Sequence, residues 1–320
     1  MNARTTILLT AVLCAAAGLC ACGGSGPAVV ARGEQRTPAI AADAAGVYWV
    51  AAAPDGAGAL RSAKPSGGEV ATLATGFTDP RDLKLASGTL YWASGDGTIR
   101  SLPTSGGTAT TLATEPPGFV PFGIAVVGDT VYWLSNQPPP DPHSVGAAVL
   151  ASVKIAGGPR TVIAQFPGYA TDSLYPAMIT TDGTTLYFAN SDGDVQYLDA
   201  TGKPKPIAKL QGQLSGVAVA GDNIYYLQFF SETVAVVRKR LGTLDPPQVL
   251  VPLPYTVSLA HDDKALYVAG NTSVALSRVA LPDGQLSTLL SDDKGATAVT
   301  TGPGSLFVAT GDGRILRLAR

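Results

Sequence analysis

Of the 320 residues, two are histidine, three are cysteine and only 14% are charged. Each scarcity excludes something. The cysteines, Cys14, Cys20 and Cys22, all lie in the first 22 residues, so the rest of the chain has neither a disulfide nor a thiolate metal site. His143 and His261 are too few for a histidine-rich zinc centre. A formal net charge of −2 leaves no basic face, which excludes nucleic acid as an electrostatic partner. Helical periodicity is absent beyond the first twenty residues, and there is no G-x-S-x-G elbow, P-loop or HExxH motif. No cofactor is therefore expected. What the chain does have is 37 glycines, 24 prolines and an apolar fraction of 46%, the composition of many turns around a large core.

Those turns recur with a period. An aliphatic–aromatic pair returns seven times, at Val47-Tyr48, Leu90-Tyr91, Val131-Tyr132, Leu186-Tyr187, Ile224-Tyr225, Leu266-Tyr267 and Leu306-Phe307, with aromatics 43, 41, 55, 38, 42 and 40 residues apart. Eight residues before each aromatic stands an aliphatic: Ile40, Leu83, Ile124, Ile179, Val217, Leu259 and Val299. Turn dipeptides such as Gly128-Asp129 and Asp182-Gly183 lie between, as a β-hairpin of constant register requires. A third alternating strand (TIRSL, DVQYL, RILRL), a Gly-rich turn and a fourth strand (TATTLAT, QLSTLL) complete each unit. Four antiparallel strands per ~40 residues predict an all-β chain, a seven-bladed β-propeller of four-stranded antiparallel blades. The blades are expected at about 38–75, 80–114, 121–168, 176–210, 214–251, 256–290 and 296–320. The last copy ends after its third strand, and residues 28–49 parallel the pattern of 110–133. An N-terminal strand at 28–33 is therefore expected to complete the last blade and remove the open edges of the ring.

Ahead of the repeats, MNARTTILLTAVLCAAAGLCACGGSG has one early cation, Arg4, and an apolar run from Ile7 to Ala21. That run is shorter than the ~20 residues of a spanning helix and has the layout of a secretory signal. Its end, Leu19-Cys20-Ala21-Cys22, resembles the bacterial lipoprotein signal. The resemblance implies a signal peptide at 1–21, diacylglycerol on the Cys22 thiol, an acylated new amine and a short tether at 22–27. Gly23 rather than Asp after the cysteine implies the outer membrane in a cell that has one. The expectation is an exported protein, lipid-anchored to the bacterial cell envelope.

The Tyr-Trp pairs at 48–49, 91–92 and 132–133 resemble the YWTD repeats of LDL-receptor-type propellers, and first strands such as PFGIAVVGD resemble NHL-type repeats. The resemblance covers about residues 28–320. It departs where Thr-Asp is replaced by Val-Ala, Ala-Ser and Leu-Ser, and where seven copies stand for that family's six. The family's polar network and receptor partners are not carried over. The whole is similar to propeller-repeat lipoproteins of Gram-negative bacteria.

Two places invite a site. Loops from strand two to three and links between blades share one face, and the long ones fall there: 51–59, 115–121, 135–148, 166–176 and 228–233. They carry Phe119, Phe122, His143, Phe166, Tyr169, Tyr175, Phe229 and Phe230, a candidate recognition rim. The second place is the central channel, onto which the first strands open. Nine residues before the anchor aromatic the copies read Ala39, Asp82, Gly123, Met178, Gly216, Ser258 and Ala298. Asp82 is the one charge, with Arg81 beside it, and a charge there is either paired or used. His261 is expected to be a hydrogen-bonded residue at a strand end. Two readings follow. The first, which leans away from catalysis, is an envelope lipoprotein that binds a protein, peptide or glycan through its loop-rich face. The alternative is a hydrolase or lyase of the lactonase or streptogramin-lyase kind, which alone would call for a divalent metal, held at the channel mouth.

Overall fold

The repeated aromatic pairs form the same hairpin seven times. Tyr48 faces Ala41, Tyr91 faces Lys84, Tyr132 faces Ala125, and the remaining four copies keep this register through Phe307 and Thr300. A period of two leaves little freedom here, because slipping one residue would turn every apolar side chain to the wrong face. In three blades the anchor tyrosine belongs to an aspartate turn. Asp43, Asp182 and Asp262 accept the amides of Gly46, Thr185 and Ala265 at 2.8, 2.8 and 2.9 Å. The second oxygens of Asp182 and Asp262 take the hydroxyls of Tyr187 and Tyr267 at 2.9 and 3.0 Å.

The computed structural model describes residues 26–137, 146–167, 178–190, 193–209, 214–230, 233–254 and 256–320. They form seven four-stranded antiparallel sheets, the blades of a seven-bladed propeller, with no α-helix among the described residues. The first strands of blades 1 to 7 are Arg36–Ala42, Pro80–Ala86, Val120–Val127, Ile179–Thr181, Leu214–Ala220, Ser258–His261 and Ala296–Gly302. Strand Ala28–Ala31 pairs antiparallel with Ile315–Ala319, the third strand of blade 7, and supplies its fourth. The ring is closed by the two ends of the sequence, as the repeat pattern predicts.

The core lies between blades. Trp49, Trp92 and Trp133 are fully buried, one residue past the anchor tyrosines. Each sits in a layer built from two neighbouring sheets: Trp49 with Val30, Ala298 and Ile315 of blade 7, Trp92 with Ala39 and Leu60 of blade 1, Trp133 with Ile99 and Leu112 of blade 2. A large aromatic removes about 150–250 Å² from water, so each layer stiffens a junction that four strands alone could not hold.

Antiparallel order gives the ring two distinct ends. At the lower end strand one turns into two and strand three into four. At the upper end strand two turns into three and each blade passes to the next.

Candidate binding face and central channel

The first strands surround a cavity of about 330 Å³ whose lining includes Asp82, Lys84, Thr180, Ser258, His261 and Thr300. In blade 2 a bulge between Pro80 and Asp82 precedes the position nine residues before the anchor and re-aims its side chain. Asp82 is 3% exposed. Its carboxylate accepts the Leu83 amide at 2.8 Å and, across the junction, the Ile124 amide of blade 3 at 2.9 Å. Lys84 Nζ donates to both oxygens at 2.9 Å. Burial pushes the Asp82 carboxyl above its ordinary range, against the pull of Lys84 and the two amides. Ser258, at the same position in blade 6, accepts the Val299 amide of blade 7 at 3.3 Å. The position therefore ties one inner strand to the next wherever it carries an acceptor.

The expected neighbour of Asp82 is corrected. Arg81 turns to the upper rim and pairs with Asp79, which also holds Arg36 at 2.5 Å. Lys84 is the partner instead, because residues two apart in a strand share a face.

His261 also lines the cavity, at its lower end where strand one finishes. Burial holds its imidazole below the usual range, although Asp262 and Asp263 pull the other way. Its Nδ1 is buried without a hydrogen-bond partner, while the ring keeps a backbone hydrogen bond with Asp262. A divalent ion needs several oxygen ligands. The channel offers one carboxylate already engaged by an ammonium and two amides, and no group of three or more His, Cys, Asp or Glu converges among the described residues. Among the described residues the donor set does not fit a metal.

The aromatics of the upper rim are placed unevenly. Phe119 is half-buried in the link before blade 3. Phe122, expected on the rim, is 1% exposed and belongs to the apolar layer shared by blades 3 to 5. Phe166 is half-buried and stacks on Phe188 of blade 4 with ring centroids 6.3 Å apart. Phe229 is half-buried against the layer between blades 5 and 6. Cys22, His143, Tyr169, Tyr175 and the Phe230 side chain lie outside the described residues.

What distinguishes the upper end is height. Second strands run five residues past the anchor aromatic in blades 3 and 5, to Gln137 and Phe230, but two in blade 4, to Ala189. At about 3.3 Å per residue, the second strand of blade 4 ends roughly 10 Å lower than those on either side. The second strands around this step end in buried amide side chains: Asn136, Asn190 and Gln228.

Sequence reasoning missed the polar ties between blades. Glu115 is buried beneath the upper rim and accepts the indole N–H of Trp133 and the Ser135 hydroxyl, the latter at 2.7 Å. Arg160 pairs with its other oxygen at 2.7 Å. Glu34 repeats the arrangement at the closing junction, with Trp49 Nε1 at 2.8 Å and Arg61 at 3.1 Å. Both backbones are fixed by the preceding blade. The Glu34 and Glu115 amides donate to Gly313 and Gly97 at 3.0 and 2.8 Å. These glycines have φ of +80° and +81°, and a Cβ at Gly313 would collide with the Glu34 backbone. One signal was available: the chain has four glutamates, and two of them end a fourth strand just ahead of a Tyr-Trp hairpin.

No family model matches the chain, and no curated protein matches it. Among solved structures the fold is shared with virginiamycin B lyase from Staphylococcus aureus, at TM-score 0.67 and 11% identity over 92% of this chain and 98% of that one. It is shared too with an oligogalacturonate lyase in complex with manganese, at TM-score 0.65 and 12% identity over 86% of each chain. A chain of the mitotic checkpoint complex aligns at TM-score 0.68 and 13% identity over 99% of both. At such identities the likeness is one of β-propeller fold, and lyases stand beside a protein assembly, so fold selects no activity.

Proposed function

We propose that this chain is a lipid-anchored binding scaffold of the bacterial cell envelope, held by acylated Cys22, that takes a protein, peptide or glycan on the upper end of blades 3 to 5. The observation that carries the reading is the step in blade height. Two tall hairpins flank a short blade on the end that also receives the longest connections, whereas the lower end is closed by tight aspartate and glycine turns. Tall second strands on either side of a short one would give a ligand walls to lie between. The channel supports the metal-dependent hydrolase or lyase reading less well, since its carboxylate is engaged in holding blades 2 and 3 together.

Two experiments test this. A photo-crosslinking side chain placed at His143 or Tyr169 in cells should capture a partner, and replacing 138–145 by a two-residue turn should abolish capture from position 169 while leaving the melting temperature within a degree or two. Equal capture by the shortened protein would refute the binding face. Separately, Cys22→Ala should move the protein from the membrane to the soluble fraction and abolish incorporation of labelled palmitate.

A further inference from the structure

The chain enters the ring from one defined side. Ala28 faces Arg317 and Ala31 faces Ile315, so the closing strand starts at the lower end and rises. The other terminus is there too, since the Arg320 amide reaches the Gly304 carbonyl of a lower turn. Any anchor on the segment before residue 28 therefore pulls on the lower end. The stretch between Cys22 and Ala28 spans at most about 20 Å when extended, too little to pass around the ring.

The same end collects the exposed apolar side chains. Among the described residues the exposed large hydrophobics are Ile155 (40%), Val162 (41%), Leu244 (104%), Val249 (55%) and Leu286 (45%). Ile155 and Leu244 stand in turns from strand three to four, and the Ile155 amide bonds the Asp129 carbonyl of a lower turn. Val162, Val249 and Leu286 are at the first or second position of fourth strands, which begin at the lower end. Single exposed apolar residues need no explanation. Five on one end, in blades 3, 5 and 6, with the tether leaving from blade 7, describe an arc over most of the ring.

We propose that this lower arc lies against the lipid surface, with Leu244 as its deepest contact, so that the stepped upper end faces away from the bilayer. The inference rests on the anchored reading above, and it adds the orientation and the residues that touch lipid. A lipid surface is the occupant that fits because the tether brings the bilayer to this end and because the apolar contacts are spread along an arc, as a flat partner requires. Charge plays a lesser part. Lys154 pairs with Asp129 at 2.7 Å and Lys205 with Asp199 at 3.7 Å, so these two lysines should add little salt dependence to the contact, unlike a polybasic one.

The test uses the full chain, matured in cells and reconstituted into phosphatidylethanolamine–phosphatidylglycerol vesicles carrying nitroxide-labelled lipid. In the matured protein every native cysteine is removed or acylated, so Leu244→Cys, Ile155→Cys and, at the upper edge of blade 2, Thr114→Cys can each be labelled with a fluorophore. Fluorescence at 244 and 155 should be quenched several-fold more than at 114. Equal or reversed quenching in a protein that still sediments with vesicles would overturn the orientation and leave the anchor standing. Failure to sediment at all would remove the anchor and this inference with it. A doubling of mass in detergent that Leu244→Asp abolishes would assign the arc to a second copy of the chain and also overturn the proposal.

Discussion

The junction between blades 2 and 3 and the junction between blades 1 and 2 are built on the same plan and finished differently. At the first, Glu115 gathers Trp133, Ser135 and Arg160. At the second, the residue at the equivalent place is Asp79, whose amide donates to Gly56 at 2.8 Å as that of Glu115 does to Gly97. Trp92 and Ser94 stand where Trp133 and Ser135 do, and both are fully buried. Yet Trp92 Nε1 and Ser94 Oγ have no hydrogen-bond partner, nor does the nearby Arg81 Nε. Asp79 is one methylene shorter and turns outward to Arg36 and Arg81. Phe77 compensates in part, packing on Trp92 with ring centroids 5.5 Å apart. The repeat preserves the cavity and its donors, while the length of one acidic side chain decides whether they are satisfied.

The closing junction resembles the Glu115 junction, and breaking it should have the largest effect. Deleting 28–34 removes the fourth strand of blade 7 together with Glu34, leaving Trp49 and Arg61 without their acceptor and a strand edge open. The melting temperature is expected to fall by roughly 10 °C or more. A fall of one or two degrees would mean that the ring does not depend on this clasp.

Next in size is the carboxylate itself. Glu115→Ala strands a buried arginine, an indole and a hydroxyl, and should cost about 3–5 kcal/mol in urea unfolding. Asp79→Ala removes ion pairs a third exposed to solvent and should cost about 1 kcal/mol or less. Similar losses at the two sites would contradict the difference drawn between them. A smaller contrast isolates the indoles. Trp133→Phe deprives Glu115 of a donor, whereas Trp92→Phe deletes an N–H that bonds nothing. The cavity left is alike in both, so Trp133→Phe should be worse by about 1–2 kcal/mol.

These junctions also mark where the sequence stops being legible. The seven hairpins could be read because a strand pair joined by a tight turn has a rigid register, and the distance from Ile40 to Tyr48 recurs unchanged in every copy. The closing strand could be read because 28–49 repeats 110–133. Asp82 was found as the charge on the channel position, but adjacency suggested Arg81 where the two-residue period of a strand pointed to Lys84. Phe122 looked like a rim residue because loop lengths locate the end of a strand poorly; blade 3 runs higher than its neighbours and draws that ring into the layer between blades. The acid–tryptophan ties were hidden for a related reason. Glu34 and Trp49 are separated by a link of one length, Glu115 and Trp133 by a longer one, so no fixed spacing announces them.

The finest test adds the missing methylene. Asp79→Glu lengthens the acid toward Trp92 Nε1 and Ser94 Oγ, with Arg81 at hand to balance the charge it carries inward. The substitution gives up the partly exposed pair with Arg36, a contact of small worth, and satisfies two buried donors whose isolation is costly. The expected gain is about 1 kcal/mol, read as a shift of the urea midpoint with unchanged slope. In the Trp92→Phe background about half of that gain should vanish, because one of the two donors is gone, and the difference between backgrounds measures the new bond directly. If Asp79→Glu destabilised the protein equally in both backgrounds, the indole and hydroxyl of blade 2 would not form an acceptor-ready cradle, and the likeness between the two junctions would end at the backbone.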